Sequence, residues 1–343
     1  MAEEPLALPT DEQFLDELYK ELGDDEWIEI QNSAGKHEEP AVTAQKAIDA
    51  GEFGQDQFEE LTGAIRESLA PSLYFRGAFI RQLKRAALQM LAPYSQQLEN
   101  VPVGCVPTRL LNAGAYRTPR GGAVILLDSG VILQLGLLVR TFFSYYTWNA
   151  PDRFAAGKPH CHDHSQASFG RTIQHLAAFS VTGEVQQLRA ITTWNCPSLR
   201  TYDQSVEFAA MGIELFIMLH EFGHVALGHL DGCSTMSVPT RLAGELTVYT
   251  NSQKQEFEAD KFAFEHYCSS GMRRTDIAFS CGLLFHLFHL AELIRPPKAR
   301  THPPALARWE KIKELTPLSA YPESWSNFLD EAFMPLSDNL PLA

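Results

Sequence analysis

The sequence is poor in positive charge. Its 343 residues include 28 lysines and arginines against 42 aspartates and glutamates, which gives a formal net charge of −14. Proteins that bind nucleic acid without regard to sequence, or that dock on anionic lipid, normally present a basic face. The charge balance therefore argues against both of these classes of protein.

Cysteines are few and scattered. None of the six forms a CxxC pair, which fits a reducing compartment better than a disulfide framework. The acidic start, MAEEPLALPTDEQF, has no apolar stretch of the kind that a secretory signal contains. We therefore predict a cytoplasmic protein.

No long hydrophobic run is free of ionisable residues. Residues 277–294 (IAFSCGLLFHLFHLAELI) have about the length of a short membrane-spanning helix. The run contains His286, His289 and Glu292, and each of these side chains is costly in hydrocarbon. A buried core helix is the favoured interpretation, a membrane segment is the alternative, and membrane binding is not expected.

The apolar spacing indicates mostly helices. It is helical from residue 57 to about 98 and again from 205 onward. Between them, AVILL at 123–127 follows a Pro-Arg-Gly-Gly turn signal and predicts a hairpin strand. We predict a mostly helical α+β protein with a small antiparallel sheet. A helical N-terminal extension (1–100) precedes the main domain (101–343), which has an inserted segment at about 141–205.

The stretch IMLHEFGHVALGHL, residues 217–230, contains two histidines four residues apart, with a glutamate after the first. Positions four apart share a helix face, so His220 and His224 can point at one ion. Zinc accepts histidine nitrogens in tetrahedral sites and leaves one position to water in enzymes. Glu221 can reach that water as a general base. The apolar surroundings support this interpretation, because unpartnered polar groups are costly there.

A third protein ligand is needed. In HExxHxxGxxH enzymes it is a histidine ten residues after the first, but that position is Leu230. His229 is one residue short of it. We interpret His229 as a cap at the helix end, where an imidazolium suits the helix dipole; a direct metal role is the alternative.

The next candidate ligand lies downstream, in NSQKQEFEADKFAFEHY. Glu256 would complete a His-His-Glu set, and Asp260, one turn on, could orient a ligand histidine through a hydrogen bond. Glu258 competes for the ligand role but lies on another helix face. The alternative is a solvated acidic helix face whose glutamates pair with nearby lysines.

Four segments together resemble the gluzincin peptidases of the CAAX prenyl protease and HtpX type. They are LNAGAY (111–116) with the GGAVILLDSGVILQL that follows, LHEFGHVALGH, EFEAD (256–260) and THPPALAR (301–308). These look like the Asn-Ala segment and edge strand, the metal helix, the ExxxD motif and the Thr-His-Pro…Arg segment of that family. A weaker resemblance, through HEFGH and the expected solubility, is to the Lit-type phage-exclusion peptidase.

The resemblance implies a zincin-like fold and a zinc ion, with three ligands and a general base: His220, His224, Glu256 and Glu221. It also implies that Asp260 supports a ligand, and that His302 and Arg308 stabilise the oxyanion of the tetrahedral intermediate.

Without the family resemblance, the THPP stretch is interpreted as the start of a helix capped by Thr301. An edge strand would hold extended substrate by strand addition. Membrane members of the family carry several spanning helices, and this chain is expected to be a soluble variant.

Two further clusters have open interpretations. The KPHCHDHSQ stretch places His160, Cys161, His162, Asp163 and His164 together. A surface loop is favoured over a substrate lid or a second metal site. The aromatic run FFSYYTW, residues 142–148, is interpreted as core, with a pocket wall as the alternative.

The segment at 141–205 has a further possible role. It could fold over the cleft as an autoinhibitory lid.

These observations favour a zinc-dependent endopeptidase that hydrolyses an intracellular protein bound in extended form. Glu221 is the expected general base and Zn²⁺ the expected cofactor. The alternative is a non-catalytic, metal-binding regulator or scaffold that retains the peptidase fold.

Overall fold

A computed structural model describes most of the chain from residue 78 to 316. The described residues are 78–106, 111–118, 121–149, 166–182, 200–231, 235–238, 246–249, 253–294 and 302–316, with 15, 45, 48–49, 329 and 332–333. The helices are α1 (Ala78–Met90), a 3-10 turn (Ala92–Tyr94), α2 (Ser95–Leu98), α3 (Ser129–Asn149), α4 (Gln166–Thr182), α5 (Arg200–Ala226), α6 (Gln253–Ser269), α7 (Arg274–Ile294) and α8 (Ala305–Leu315). The histidine-rich cluster at 160–164 and most of the predicted N-terminal extension lie outside the described residues.

The sheet has five strands. They are β1 (Val103–Val106), β2 (Ala113–Arg117), β3 (Ala123–Asp128), β4 (Thr235–Val238) and β5 (Leu246–Tyr249), in the order β1-β3-β2-β5-β4. The predicted hairpin is present: β2 and β3 pair antiparallel, and Gly121 in their turn has a φ of 84°, a region that glycine enters readily. The sheet is nevertheless mixed, because β1 runs parallel to β3. The protein is thus α+β and mostly helical, as predicted.

Helix α5 is the centre of the fold. From Ala209 to His224, each residue except Met211 is buried. The helix contacts α1, α3, α6 and α7, and its β2 contact joins the helical layer to the sheet. A helix that is apolar nearly all round must be enclosed by other elements. The enclosure of α5 explains why its polar residues near the C-terminal end lie inside the protein.

The described parts of the segment at 141–205 are helical and contribute to the core, although the sequence shows no clear periodicity there. Phe142 on α3 is fully buried and stacks on Phe333, with ring centroids 6.3 Å apart. On α4, Phe169 and Ile173 are also fully buried. The core interpretation of the aromatic run is therefore confirmed for Phe142. The lid hypothesis stays a prediction, because residues 150–165 and 183–199 of this segment lie outside the described residues.

Helix α7 is a core helix. Among the described residues it is the one helix that length and composition would allow to cross a membrane, and 61% of its most apolar window is buried inside the fold. The side chain of His286 is 1% exposed and lies with Nδ1 2.7 Å from the Gly282 carbonyl oxygen. The helix thus buries His286 with a backbone partner, as the favoured interpretation of a core helix expects.

Gly223 sets the spacing between α5 and α6. A Cβ at this position would lie 3.1 Å from Cδ1 of Phe262 and 3.4 Å from Cα of Ala259. The missing side chain therefore lets the two helix backbones come close. At Gly136 on α3, by contrast, a Cβ would meet nothing within 4 Å.

We expect the same substitution to have opposite effects at these two glycines. Gly136→Ala should raise the free energy of unfolding by up to about 1 kcal/mol, because alanine favours the helix. Gly223→Ala should lower it by about 1–2 kcal/mol, because overpacking outweighs that gain. Urea denaturation followed by circular dichroism measures both. A stabilised Gly223→Ala variant would show that the helices are not in tight contact.

Candidate metal centre

Helix α5 brings His220 and His224 together as the four-residue spacing predicts. Their Nε2 atoms lie 3.1 Å apart, and both side chains are buried. Two lone-pair nitrogens this close repel each other unless a proton or a cation lies between them. The pair therefore forms one side of a cation site.

Glu256 on α6 supplies the third donor. Its Oε1 lies 3.5 Å from His224 Nε2, its Oε2 lies 3.6 Å from His220 Nε2, and the residue is 1% exposed. Two donors that each lie about 2 Å from one tetrahedral ion are themselves roughly 3.3 Å apart. The distance between the two histidine nitrogens is close to that value, and one ligand atom from each of the three residues lies within 4.8 Å of the others, so this buried His-His-Glu group can hold a metal ion.

Asp260 lies one helical turn after Glu256 and orients the first histidine. The Nδ1 of His220 is 2.9 Å from Asp260 Oδ1. Arg308 on α8 donates to the same carboxylate from Nε at 2.7 Å and from Nη2 at 2.6 Å. Because its Nδ1 faces the Asp260 carboxylate, His220 turns Nε2 toward the other donors.

The electrostatics of the two histidines differ. Burial opposes charge on His220, but the adjacent carboxylates of Asp260 and Glu256 raise its pKa to about 10. Burial, with His220 close by, lowers the pKa of His224 to about 2. Burial would raise the pKa of Glu256, yet the adjacent His220 and His302 hold it well below its usual range. A cation that binds here displaces the proton from His220.

Glu221 lies beside this group in a cavity of about 270 Å³. The cavity is mainly apolar, and the residues that line it include Asn112, Ala113, Val131, Val181, Phe216, Ile217, His220, Glu221, Glu256, Leu284, Phe288, Ala291, His302 and Arg308. Burial raises the pKa of the Glu221 carboxyl. A carboxylate with a raised pKa accepts a proton more readily, which suits a general base.

The C-terminal residues implied by the family resemblance also reach the site. His302 is 61% exposed, and its Nδ1 lies 2.9 Å from Glu256 Oε2. Asp260 occupies two nitrogens of the Arg308 guanidinium, whereas Nη1 lies 3.7 Å from Glu256 Oε2. Both side chains are thus next to the donor group, and their role toward an oxyanion stays a prediction.

Glu292 on α7 was missed by the sequence analysis. Its carboxylate oxygens accept the backbone N–H of Ala305 at 3.1 and 3.3 Å. A carboxylate suits the first turn of a helix, where N–H groups lack partners. Glu292 therefore caps α8, and the proposed cap Thr301 lies outside the described residues.

His229 also has a different environment from the predicted one. Its Nδ1 lies 3.1 Å from Nδ1 of His224, and its Nε2 lies 3.2 Å from Oε2 of Glu258. The side chain thus contacts a candidate ligand instead of capping the helix end. Glu258, the competing candidate ligand, faces His229 and not the three donors.

Comparison with known proteins supports a peptidase. Residues 204–328 match the family model Peptidase U49, and this range includes the three donors and Glu221. No curated protein and no solved structure shows significant similarity to the chain. The match indicates a peptidase and hence a hydrolase, while the narrower assignment to the CAAX prenyl protease and HtpX type stays a prediction.

We expect Arg308→Met to destabilise the protein strongly. The change leaves the buried Asp260 carboxylate without its cation, which typically costs about 3–5 kcal/mol. Arg273→Met is the matched control: Arg273 donates to Asp276 at 2.9 Å but is 80% exposed, so its loss should cost less than about 1 kcal/mol. Chemical denaturation compares the two variants. Similar losses would show that the Asp260–Arg308 pair is not specially important for the fold.

Proposed function

We propose that the protein is a zinc-dependent endopeptidase of the cytoplasm that cleaves an intracellular protein. One observation carries the proposal: a buried His-His-Glu donor group lies beside a carboxylate with a raised pKa, in a mainly apolar cavity. The match to a peptidase family over the same residues supports it.

The donor set favours zinc. Two imidazole nitrogens and one carboxylate oxygen form a common protein ligand set of catalytic zinc, with a fourth position left open. When bound there, zinc would polarise the scissile carbonyl and lower the pKa of water. His220, His224 and Glu256 are the residues that would hold it.

The remaining residues have separate roles in this proposal. Glu221 takes a proton from the attacking water and passes it to the leaving amine. Asp260 keeps His220 in one tautomer and orientation. His302 and the Nη1 group of Arg308 provide donors near the carbonyl oxygen, where negative charge develops.

The sheet beside the cavity favours an extended substrate. Asn112 and Ala113, at the start of β2, line the cavity. In the described part of the sheet, β5 pairs with β2 only at Arg117. β2 lies between β3 and β5 in the sheet, so we place the substrate backbone beside Asn112 and Ala113, where the strand meets the cavity and can hold a peptide by strand addition.

A non-catalytic regulator or scaffold is the alternative function. It requires the donor group but gives no role to a buried carboxylate such as Glu221, which costs stability where it lies. The intact Glu221 therefore favours the enzyme.

We expect Glu221→Gln to separate metal binding from catalysis. Purified wild type and variant should each bind one zinc per chain, because Glu221 is not one of the three donors. Cleavage should fall on the order of 10²–10⁴-fold in the variant, the usual contribution of a general base. Metal content is measured by mass spectrometry, and cleavage by new protein termini in cells that express either form.

A Glu256→Gln variant serves as the contrast, because it should lose zinc as well as activity. Identical protein termini in wild-type and Glu221→Gln cells would favour the regulator. Zinc loss in the Glu221→Gln variant would instead show that Glu221 belongs to the ligand set.

The apolar lining of the cavity predicts a preference for a large apolar side chain next to the cleaved bond. Ala291→Phe should fill part of the cavity and reduce cleavage of peptides with large apolar residues, while zinc binding persists. Leu293→Phe, at a 40% exposed position of the same helix, should change neither property. A peptide library analysed by mass spectrometry tests this, and an unchanged preference in Ala291→Phe would exclude this cavity as the subsite.

A further inference from the structure

We propose that Glu258 and His229 form a hydrogen-bonded chain that sets the tautomer and orientation of His224 for cation binding. Both are positioning residues, because neither one belongs to the donor group itself. The inference rests on the metal site of the proposed function. Its basis is geometric: His229 lies between the two partners, at 3.1 Å from His224 and 3.2 Å from Glu258.

The direction of each hydrogen bond follows from the carboxylate. An ionised carboxylate only accepts hydrogen bonds, so Nε2 of His229 must carry the proton that faces Glu258. In a neutral imidazole the other nitrogen, Nδ1, then has a lone pair. That lone pair accepts a hydrogen bond from Nδ1–H of His224. The proton of His224 is thereby held on Nδ1, and its Nε2 is left with a lone pair.

The Nε2 of His224, which keeps its lone pair in this arrangement, faces the donor group. Its Nε2 is the atom that lies 3.1 Å from His220 Nε2 and 3.5 Å from Glu256 Oε1. The opposite tautomer would place a hydrogen there and would block a cation. The chain from Glu258 therefore selects the tautomer that can bind the ion, as a carboxylate does directly for many ligand histidines.

The local backbone brings His229 back to the site. Gly228 has a φ of 69°, a left-handed conformation that suits glycine at a helix end. The chain turns there, and the backbone N–H of His229 donates to the carbonyl of His224 at 2.9 Å. The turn buries His229, which is 5% exposed, against the ring of His224.

The two histidine ligands are thus supported in different ways. His220 is held by Asp260, which is buried and neutralised by Arg308. His224 is held through His229 by Glu258, whose side chain is 43% exposed and also lies 3.4 Å from Lys254 Nζ. Removing Glu258 therefore disturbs the orientation of His224 without placing an unpaired charge in the core. Substitution of Glu258 therefore tests the orientation of His224 with little expected loss of stability.

The test compares zinc affinity and the Co²⁺ spectrum in the full chain. We expect Glu258→Ala and His229→Phe to weaken Zn²⁺ binding by about 10–100-fold in a competition assay with a chromophoric chelator. Both variants should also change the visible absorption of bound Co²⁺, which reports ligand geometry. Glu258→Gln should restore most of the affinity, because its amide oxygen still accepts a hydrogen bond from His229. Glu265→Ala, at another exposed glutamate of α6, should match wild type.

The outcomes separate this inference from the proposed function. Wild-type zinc affinity and an unchanged Co²⁺ spectrum in both Glu258→Ala and His229→Phe would overturn the inference. A Glu258→Gln variant as weak as Glu258→Ala would also overturn it, because acceptance of the hydrogen bond would not matter. If wild type binds zinc but cleaves nothing, the proposed function fails while a loss of affinity in these variants still supports the chain. If wild type binds no zinc, both fail.

Discussion

The site depends on the need to pair two carboxylates that α6 carries into the protein interior. Glu256 and Asp260 are each 1% exposed, and an ionised carboxylate in such a place requires charged or hydrogen-bonding partners. Asp260 meets this need with Arg308 and His220. One carboxylate thus fixes α5, α6 and α8 relative to one another, and the same contacts aim His220 at Glu256. The charge pairing that permits burial is also what shapes the donor group.

Burial then divides the ionisable groups into those that keep a charge and those that lose it. Burial would raise the pKa of Asp260, but Arg308 and His220 hold it low, whereas burial, with Glu256 nearby, raises the pKa of Glu221. Two carboxyl groups in one site therefore suit different tasks, one as a fixed anion and one as a proton acceptor. Environments that push pKa values apart are typical of acid–base sites.

The parts of the site that follow from helical spacing could be predicted from the sequence. His220 and His224 are four residues apart, and Glu256 and Asp260 are also four apart, so each pair shares a helix face. The contact between His229 and Glu258 could not be predicted, because it depends on the turn at Gly228 and on the approach of a second helix. The helical residues within 141–205 show no clear periodicity, since helices that are buried on several sides lack a polar face. The parallel pairing of β1 with β3 is likewise a long-range contact that local patterns do not encode.

The position of Arg308 in the chain affects when the site can form. This residue lies 48 positions after Asp260, and chains are synthesised from the N-terminus. While the ribosome still holds α8, the buried carboxylate on α6 has no guanidinium to neutralise it. The full pairing of Asp260, and with it the fixed relation of α6 to α8, therefore becomes available only when the C-terminal helix has docked.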